Sequence, residues 1–245
     1  MKEILRRLTV KPFAVVGHRG AGGELPENTL KAFERGIAAG ADVVECDVRE
    51  TADGELVVVH DPDFKRVAGV DVRVKELTLK EIKERIRVAG TEPVPTLREV
   101  VETVNGRCGL FVEIKEPETT GKVVEEVLSL SENPEWIALI SFYLEALKRV
   151  KEIKGELTTG LIYSRPPGGI VTAREVGAEI VLPRWPLATE KAVRFAHRLK
   201  EVVVAWLIND EKSFERALKN GVEAMATDYP SWLVEKRKEA GSYPA

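Results

Sequence analysis

Two carboxylates at alternating positions of an apolar run are the first chemical feature of the chain: Glu45 and Asp47 lie within Val43 to Val48. If that run is a β-strand, residues i and i+2 share a face, so the two acids point together while Cys46 points away. A second apolar run, Leu110 to Ile114, carries Glu113, with Lys115 following at the same parity. On adjacent strands these residues bring three carboxylates into one small space, where they repel one another unless protons or a cation intervene. Oxygen-only ligands favour a hard divalent ion, Mg²⁺, Ca²⁺ or Mn²⁺, over zinc, which usually takes His or Cys. A Glu-x-Asp pair taken alone also reads as a solvated strand edge or a salt bridge to a neighbouring Lys; convergence with Glu113 is what points to a metal.

Further polar residues stand where apolar runs end. His18 and Arg19 follow the first run, His60 and Asp61 close a hairpin, Trp206 and Asn209 stand at and just beyond the end of the seventh run, and Thr227 and Asp228 end the eighth. His18 and His60 sit beside charged partners on strands expected to be neighbours. His197, on a helical stretch among Arg194, Arg198 and Lys200, reads as a surface or structural residue. Trp206 reads as barrel core or as the wall of a substrate pocket, Asp228 as a cap of the last helix, and Cys46 and Cys108 as packing residues.

The elements that must position these groups recur regularly. Apolar runs at Phe13 to Val16, Val43 to Val48, Leu110 to Ile114, Trp136 to Ile140, Leu157 to Ile162, Glu179 to Leu182, Val202 to Leu207 and Ala224 to Thr227 are each followed by a segment of helical period. Eight strands alternating with helices predict a (β/α)₈ TIM barrel, whose chemistry belongs at the carboxyl ends of its strands. Thr78-Leu-Lys-Glu81 and Thr96-Leu-Arg-Glu99 have the spacing of capping boxes. The second strand is expected to run to Glu50, turn at Asp53-Gly54 and return as Glu55 to Val59. Residues 62–95, with a short helix over Thr78 to Arg87, then read as an insertion over the barrel mouth within a single domain spanning 1–245. An open doubly wound sheet is disfavoured because no G-x-G-x-x-G follows the first strand in register.

Composition narrows the function classes. With 245 residues and 44% hydrophobic content, one barrel is a natural size. The net charge is -3 with both signs mixed, so no basic stripe exists for nucleic acid. No segment has the length of a membrane span, and Met1 to Lys11 lacks the pattern of a secretory leader. Two cysteines make no disulfide framework and fit a reducing, cytoplasmic setting. The absence of Gln and the 31% charged content match proteins of hot environments.

Gly17-His-Arg-Gly-Ala-Gly-Gly-Glu-Leu-Pro-Glu-Asn-Thr29 and Gly40-Ala-Asp-Val-Val-Glu-Cys-Asp47, followed by Asp53-Gly54, Val59-His-Asp61, Pro95 to Glu99, Glu113-Ile-Lys115, Ser141-Phe142, Trp206 to Asn209 and Thr227 to Pro230, resemble the glycerophosphodiester phosphodiesterase family. The matches span nearly the whole chain in order. The resemblance implies metal-dependent hydrolysis of small-molecule glycerophosphodiesters, such as glycerophosphocholine or glycerophosphoethanolamine, to glycerol 3-phosphate and an alcohol. It implies one divalent cation on Glu45, Asp47 and Glu113, general acid and base roles for His18 and His60, phosphate binding by Arg19 and Lys115, and a pocket wall at Trp206. Leu207 stands where the family often has Thr, and Lys65-Arg66-Val67 where it usually has Arg-Thr-Thr; both departures bear on the substrate's alcohol. Two rivals are a lysophospholipase D acting on lysophospholipids, whose mark is an apolar groove leading from the mouth, and a non-catalytic barrel that only binds a phosphoester.

Overall fold

The computed structural model describes residues 1–131, 134–166 and 169–241. Its frame is a ring of eight parallel strands: β1 Ala14–Gly17, β2 Val43–Glu50, β3 Gly109–Ile114, β4 Ile137–Ser141, β5 Thr158–Tyr163, β6 Ile180–Pro183, β7 Val202–Ala205 and β8 Ala224–Thr227. Each pairs with the next, and the pairing of β1 with both β8 and β2 closes the barrel. Several strands sit one residue later than the apolar runs suggest, because the Gly, Ser, Tyr or Pro after the last aliphatic residue still pairs. The seventh is shorter than expected. It ends at Ala205, and Trp206 makes only a bridge to Arg184, while Ile208 N donates to Ala226 O on the opposite neighbour.

Alternation along the strands sorts the aliphatic residues into two cores. Val15, Val44, Cys46, Val112, Leu139 and Val203 face outward and pack under the helices. Val16, Val43, Phe111, Ala138, Ile140, Ile162 and Leu182 fill the interior. Fully buried Ile4 and Leu8 of the N-terminal helix Glu3–Leu8 join the inner cluster at the amino ends of the strands, so the floor of the barrel is shut. Cys46 and Cys108 are buried and unbridged, as packing residues should be.

The hairpin forms as expected. Arg49 opposes Val57 and Glu50 opposes Leu56, and Gly54 takes the positive φ of 83° that the turn requires. Beyond it, residues 62–95 fold into two short antiparallel pairs, a single helical turn Lys65–Ala68, a 3-10 turn Val74–Glu76 and a helix, Leu79–Arg85. Phe64, Val74, Leu77, Ile82, Ile86 and Val88 make a separate core there with Val57 and Val59 of the return strand. The helix stops two residues before the expected Arg87. Buried Ile86 is extended, and Arg87 begins a two-residue strand. Both capping boxes are present, with Thr78 accepting from Glu81 N and Thr96 from Glu99 N.

Candidate active site

Register explains the carboxylate cluster. In the parallel pair β2–β3, Asp47 stands opposite Glu113, and Glu45 lies on the same face one pleat earlier. Oxygens of Glu45, Asp47 and Glu113 all fall within 4.8 Å of one another, and all three residues are buried. Lys115 reaches back over them, its Nζ 2.7 Å from Glu113 Oε1 and 3.2 Å from Asp47 Oδ1. Arg19 closes the other side, with Nε 3.3 Å from Asp47 Oδ2.

The loop after β1 is shaped to deliver Arg19. Gly20 has φ 82°, and a Cβ there would lie 2.5 Å from the backbone of Ala32, so only glycine fits against the following helix. Arg19 itself adopts a left-handed φ of 51°, uncommon for a long side chain. That conformation is held by Arg19 N donating to Glu45 Oε2 at 2.8 Å and Arg19 O accepting from Asn28 N at 3.1 Å.

Three acids against two cations produce opposed ionisation states. Burial, reinforced by the charges of Asp47 and Glu113, raises Glu45 well above the usual carboxyl range. Burial and Asp47 push Glu113 up to about 7 despite Lys115. Asp47 goes the other way: burial opposes its charge, yet Lys115 and Arg19 hold it ionised well below the ordinary value. Among the described residues, buried Glu45 Oε1 accepts no hydrogen bond, and buried Asp47 Oδ1 has only the 3.2 Å ion-pair contact with Lys115. Unsatisfied buried carboxylate oxygens are costly. An all-oxygen set of this kind suits a hard divalent cation, so the residues present fit the expected metal.

Two histidines flank the cluster, each bonded through Nδ1 to an acid: His18 to Asp228 Oδ1 and His60 to Asp61 Oδ1, both at 2.7 Å. Opposing burial, contact with His18 and Asn209 keeps Asp228 ionised, and contact with His60 and Arg66 does the same for Asp61. An ionised carboxylate only accepts, so each Nδ1 must donate, which leaves Nε2 as the ring nitrogen able to accept a proton. Burial, with Lys115 and Arg19 nearby, outweighs Asp47 and lowers the pKa of His60.

Sequence alone assigns several of these partners no task at the site and reads Asp228 as a helix cap. Asp228 does not cap the last helix: it binds His18 and accepts Asn209 Nδ2 at 2.6 Å, because His18 N pairs with Thr227 O across the β1–β8 seam. Asn28 donates to Asp47 Oδ2 at 2.8 Å. Glu27 links Arg19 to Arg66, and Arg66 in turn holds Asp61 at 2.6 Å, so the insertion is tied to both the His60 and the Arg19 sides of the site. Asn28 and Glu27 lie in the Pro-Glu-Asn-Thr stretch, which was the available signal. Arg66 had none beyond its unusual identity after His-Asp. His197, as expected, lies away on a helix, paired with Glu223.

The groups face a cavity of about 240 Å³ lined also by Val16, Phe111, Ile140, Ile162, Leu182 and Leu207. Trp206 is a wall of it and also packs against the inner core. Its indole N–H donates to Leu182 O at 2.7 Å, and Phe142 packs edge-on against it with centroids 5.8 Å apart. An open cleft of about 490 Å³ between the hairpin turn and two outer helices carries no comparable cluster.

The model of the glycerophosphoryl diester phosphodiesterase family matches residues 18–231. The chain belongs to this family. A glycerophosphodiester phosphodiesterase of Caldanaerobacter subterraneus subsp. tengcongensis is 32% identical over 243 residues, covering 93% of this chain and 98% of the relative. The crystal structure of the Thermotoga maritima glycerophosphodiester phosphodiesterase is 28% identical with a TM-score of 0.77, covering 93% and 99%. A protein of Silicibacter pomeroyi DSS-3 superposes with a TM-score of 0.89 over 98% of this chain at 24% identity, a likeness of fold. The chain is therefore a phosphodiesterase on a TIM barrel. Among the described residues no helix is long and apolar enough to cross a membrane.

Proposed function

We propose that the protein hydrolyses glycerophosphodiesters to glycerol 3-phosphate and an alcohol, with Glu45, Asp47 and Glu113 as ligands of one Mg²⁺ or Ca²⁺ ion, Mn²⁺ being a substitute. The observation that carries this reading is the pairing of a buried three-carboxylate cluster with two imidazoles whose Nδ1 atoms are anchored on Asp228 and Asp61. When bound, the cation supplies Lewis-acid stabilisation of charge growing on the phosphoryl oxygens.

The chain's own residues supply the rest. Arg19 and Lys115 lie within ion-pair distance of Asp47, on the cavity wall, and present positive charge to the phosphoryl oxygens. One histidine takes the proton of the attacking hydroxyl through Nε2 as the new P–O bond forms. The other gives a proton to the alcohol oxygen as the old P–O bond breaks. The apolar wall of Ile140, Phe142 and Trp206 keeps bulk water from the non-reacting carbons. At about 240 Å³ the cavity has no room for a long acyl chain beside the phosphoryl group, which favours water-soluble diesters over lysophospholipids. Two unbridged thiols agree with a cytoplasmic setting.

A panel of glycerophosphodiesters assayed after chelation, then with Mg²⁺, Ca²⁺ and Mn²⁺ in turn, tests the reading. Turnover should vanish on chelation and return with at least one ion. Full turnover in the presence of chelator would refute the metal role, and no turnover of any diester would refute the activity.

A further inference from the structure

A second recess opens at the barrel mouth, on the β5–β6 side, and nothing in the proposed chemistry uses it. Ser164, Arg184 and Trp185 line it together with Trp206 and Leu207, bounding an open recess of about 430 Å³. Trp206 and Leu207 also line the catalytic cavity, so the two spaces share a wall and a lip.

The recess is built on backbone registration. Arg184 N donates to Tyr163 O at 2.9 Å, Trp206 N to Pro183 O at 3.1 Å and Trp185 N to Trp206 O at 2.7 Å, locking the ends of β5, β6 and β7 together. The Trp185 ring is covered by Arg216 at 5.6 Å, and the Trp206 indole is tied to Leu182 O. The aromatic walls are thus held in place.

Arg184 is different. Other cations of the mouth are committed: Arg19 and Arg66 to Glu27, Arg49 to Glu116, Lys115 to Glu113. Arg184 is exposed, and among the described residues its side chain has no ion pair or hydrogen bond. No carboxylate lines the recess. Arg165, next to Ser164, is also exposed and unpaired among the described residues, adding positive charge on the same side.

A diester has two arms. The catalytic cavity, at about 240 Å³, is smaller than the roughly 300 to 1,000 Å³ of ordinary small-molecule sites. It suits one small arm and the phosphoryl group, so the second arm must cross Trp206 and Leu207. We infer that the recess receives the alcohol arm and that Arg184 selects alcohols bearing an anionic group, carboxylate or phosphate. This rests on the glycerophosphodiester reading above. A guanidinium fork matches either anion in a bidentate manner. Aromatic walls alone would suit a quaternary ammonium, but an uncompensated Arg184 repels it.

The test is kcat/KM for glycerophosphocholine, glycerophosphoglycerol, glycerophosphoserine and a phosphorylated glycerophosphoinositol, with the wild type, Arg184→Gln and Arg184→Glu. The wild type should prefer the last two, and their comparison separates carboxylate from phosphate recognition. The ratio of anionic to neutral substrate should fall roughly tenfold in Arg184→Gln, the size of a partly solvated charge-assisted contact. Arg184→Glu should turn the preference toward glycerophosphocholine, and added salt should erode the wild-type preference. An equal loss on all four substrates, or an unchanged ratio, would overturn the inference while leaving the activity standing. A wild type inactive on every diester would defeat the activity itself and this inference with it.

Discussion

Asp47→Asn separates the two tasks of the most buried acid in the site. The substitution keeps shape and removes charge from a fully buried group that accepts from Asn28 and lies near both Arg19 and Lys115. Leaving a buried charge without its partner costs about 3 to 5 kcal/mol. Here each cation keeps a second acid, Arg19 on Glu27 and Lys115 on Glu113, both at 2.7 Å. Repulsion with Glu45 and Glu113 is also relieved, so the expected cost is at the low end, about 3 kcal/mol. For a chain of 245 residues this is roughly 6 °C in Tm. A cation at a hundred times its Kd adds about 2.7 kcal/mol to the wild type, roughly 5 °C more, and little to a variant that has lost a ligand. Thermal unfolding measured with chelator and with saturating Mg²⁺ should therefore show a gap of about 6 °C that widens to about 11 °C. An identical gap in both conditions would mean Asp47 does not hold the metal. A chelated variant as stable as the wild type would mean that carboxylate repulsion, not pairing with the two cations, dominates at this position.

His18→Ala and His60→Ala should each lower kcat by about 10² to 10⁴. Both side chains are partly exposed, at 19% and 33%, so the melting temperature should change little; a normal turnover in either variant would remove that histidine from the mechanism. Asp228→Asn should depress kcat far more than it changes KM, roughly 10- to 100-fold, because a charge-assisted anchor of His18 is weakened. Equal effects on both constants would point to a merely structural role. Glu201 is buried with neither carboxylate oxygen bonded among the described residues, and burial, offset in part by Arg174, raises its pKa to about 7. The folded chain then holds a proton that the unfolded chain releases above its ordinary carboxyl pKa, so stability declines as pH rises toward about 7 and levels off beyond. Glu201→Gln should remove that decline and gain about 1 to 2 kcal/mol at pH 8, after allowance for solvent relaxation; unfolding curves parallel to the wild type across pH 4 to 8 would contradict it.

The parts of the site that were legible in sequence are those governed by local rules. Strand parity placed Glu45 with Asp47, and the order of apolar runs made Glu113 their neighbour, since both facts depend on a two-residue period and one crossover. The Asp53-Gly54 turn and the Thr78 and Thr96 caps were legible for the same reason. What was hidden depends on closure. Asp228 meets His18 only when β8 and β1 join, 210 residues apart, and no local signal in Thr-Asp-Tyr-Pro distinguishes that from a helix cap. Arg66 meets Glu27 only because the insertion packs back over the first loop, a placement set by the separate core around Phe64 and Ile82. Trp206 left two readings open because an aromatic at a strand end satisfies either; its side chain bonds Leu182 O, packs against the inner core and lines the cavity, so features of both are present.

The closed floor of the barrel governs traffic. Ile4 and Leu8 shut the amino end, so both products must depart by the opening through which the diester arrived. With the alcohol arm placed across Trp206 and Leu207, as inferred above, whatever sits deeper against the carboxylates cannot leave until that fragment has gone. Release is then ordered by position, outer fragment first. The inner product remains as the last occupant of the free enzyme's site and competes with incoming substrate for it.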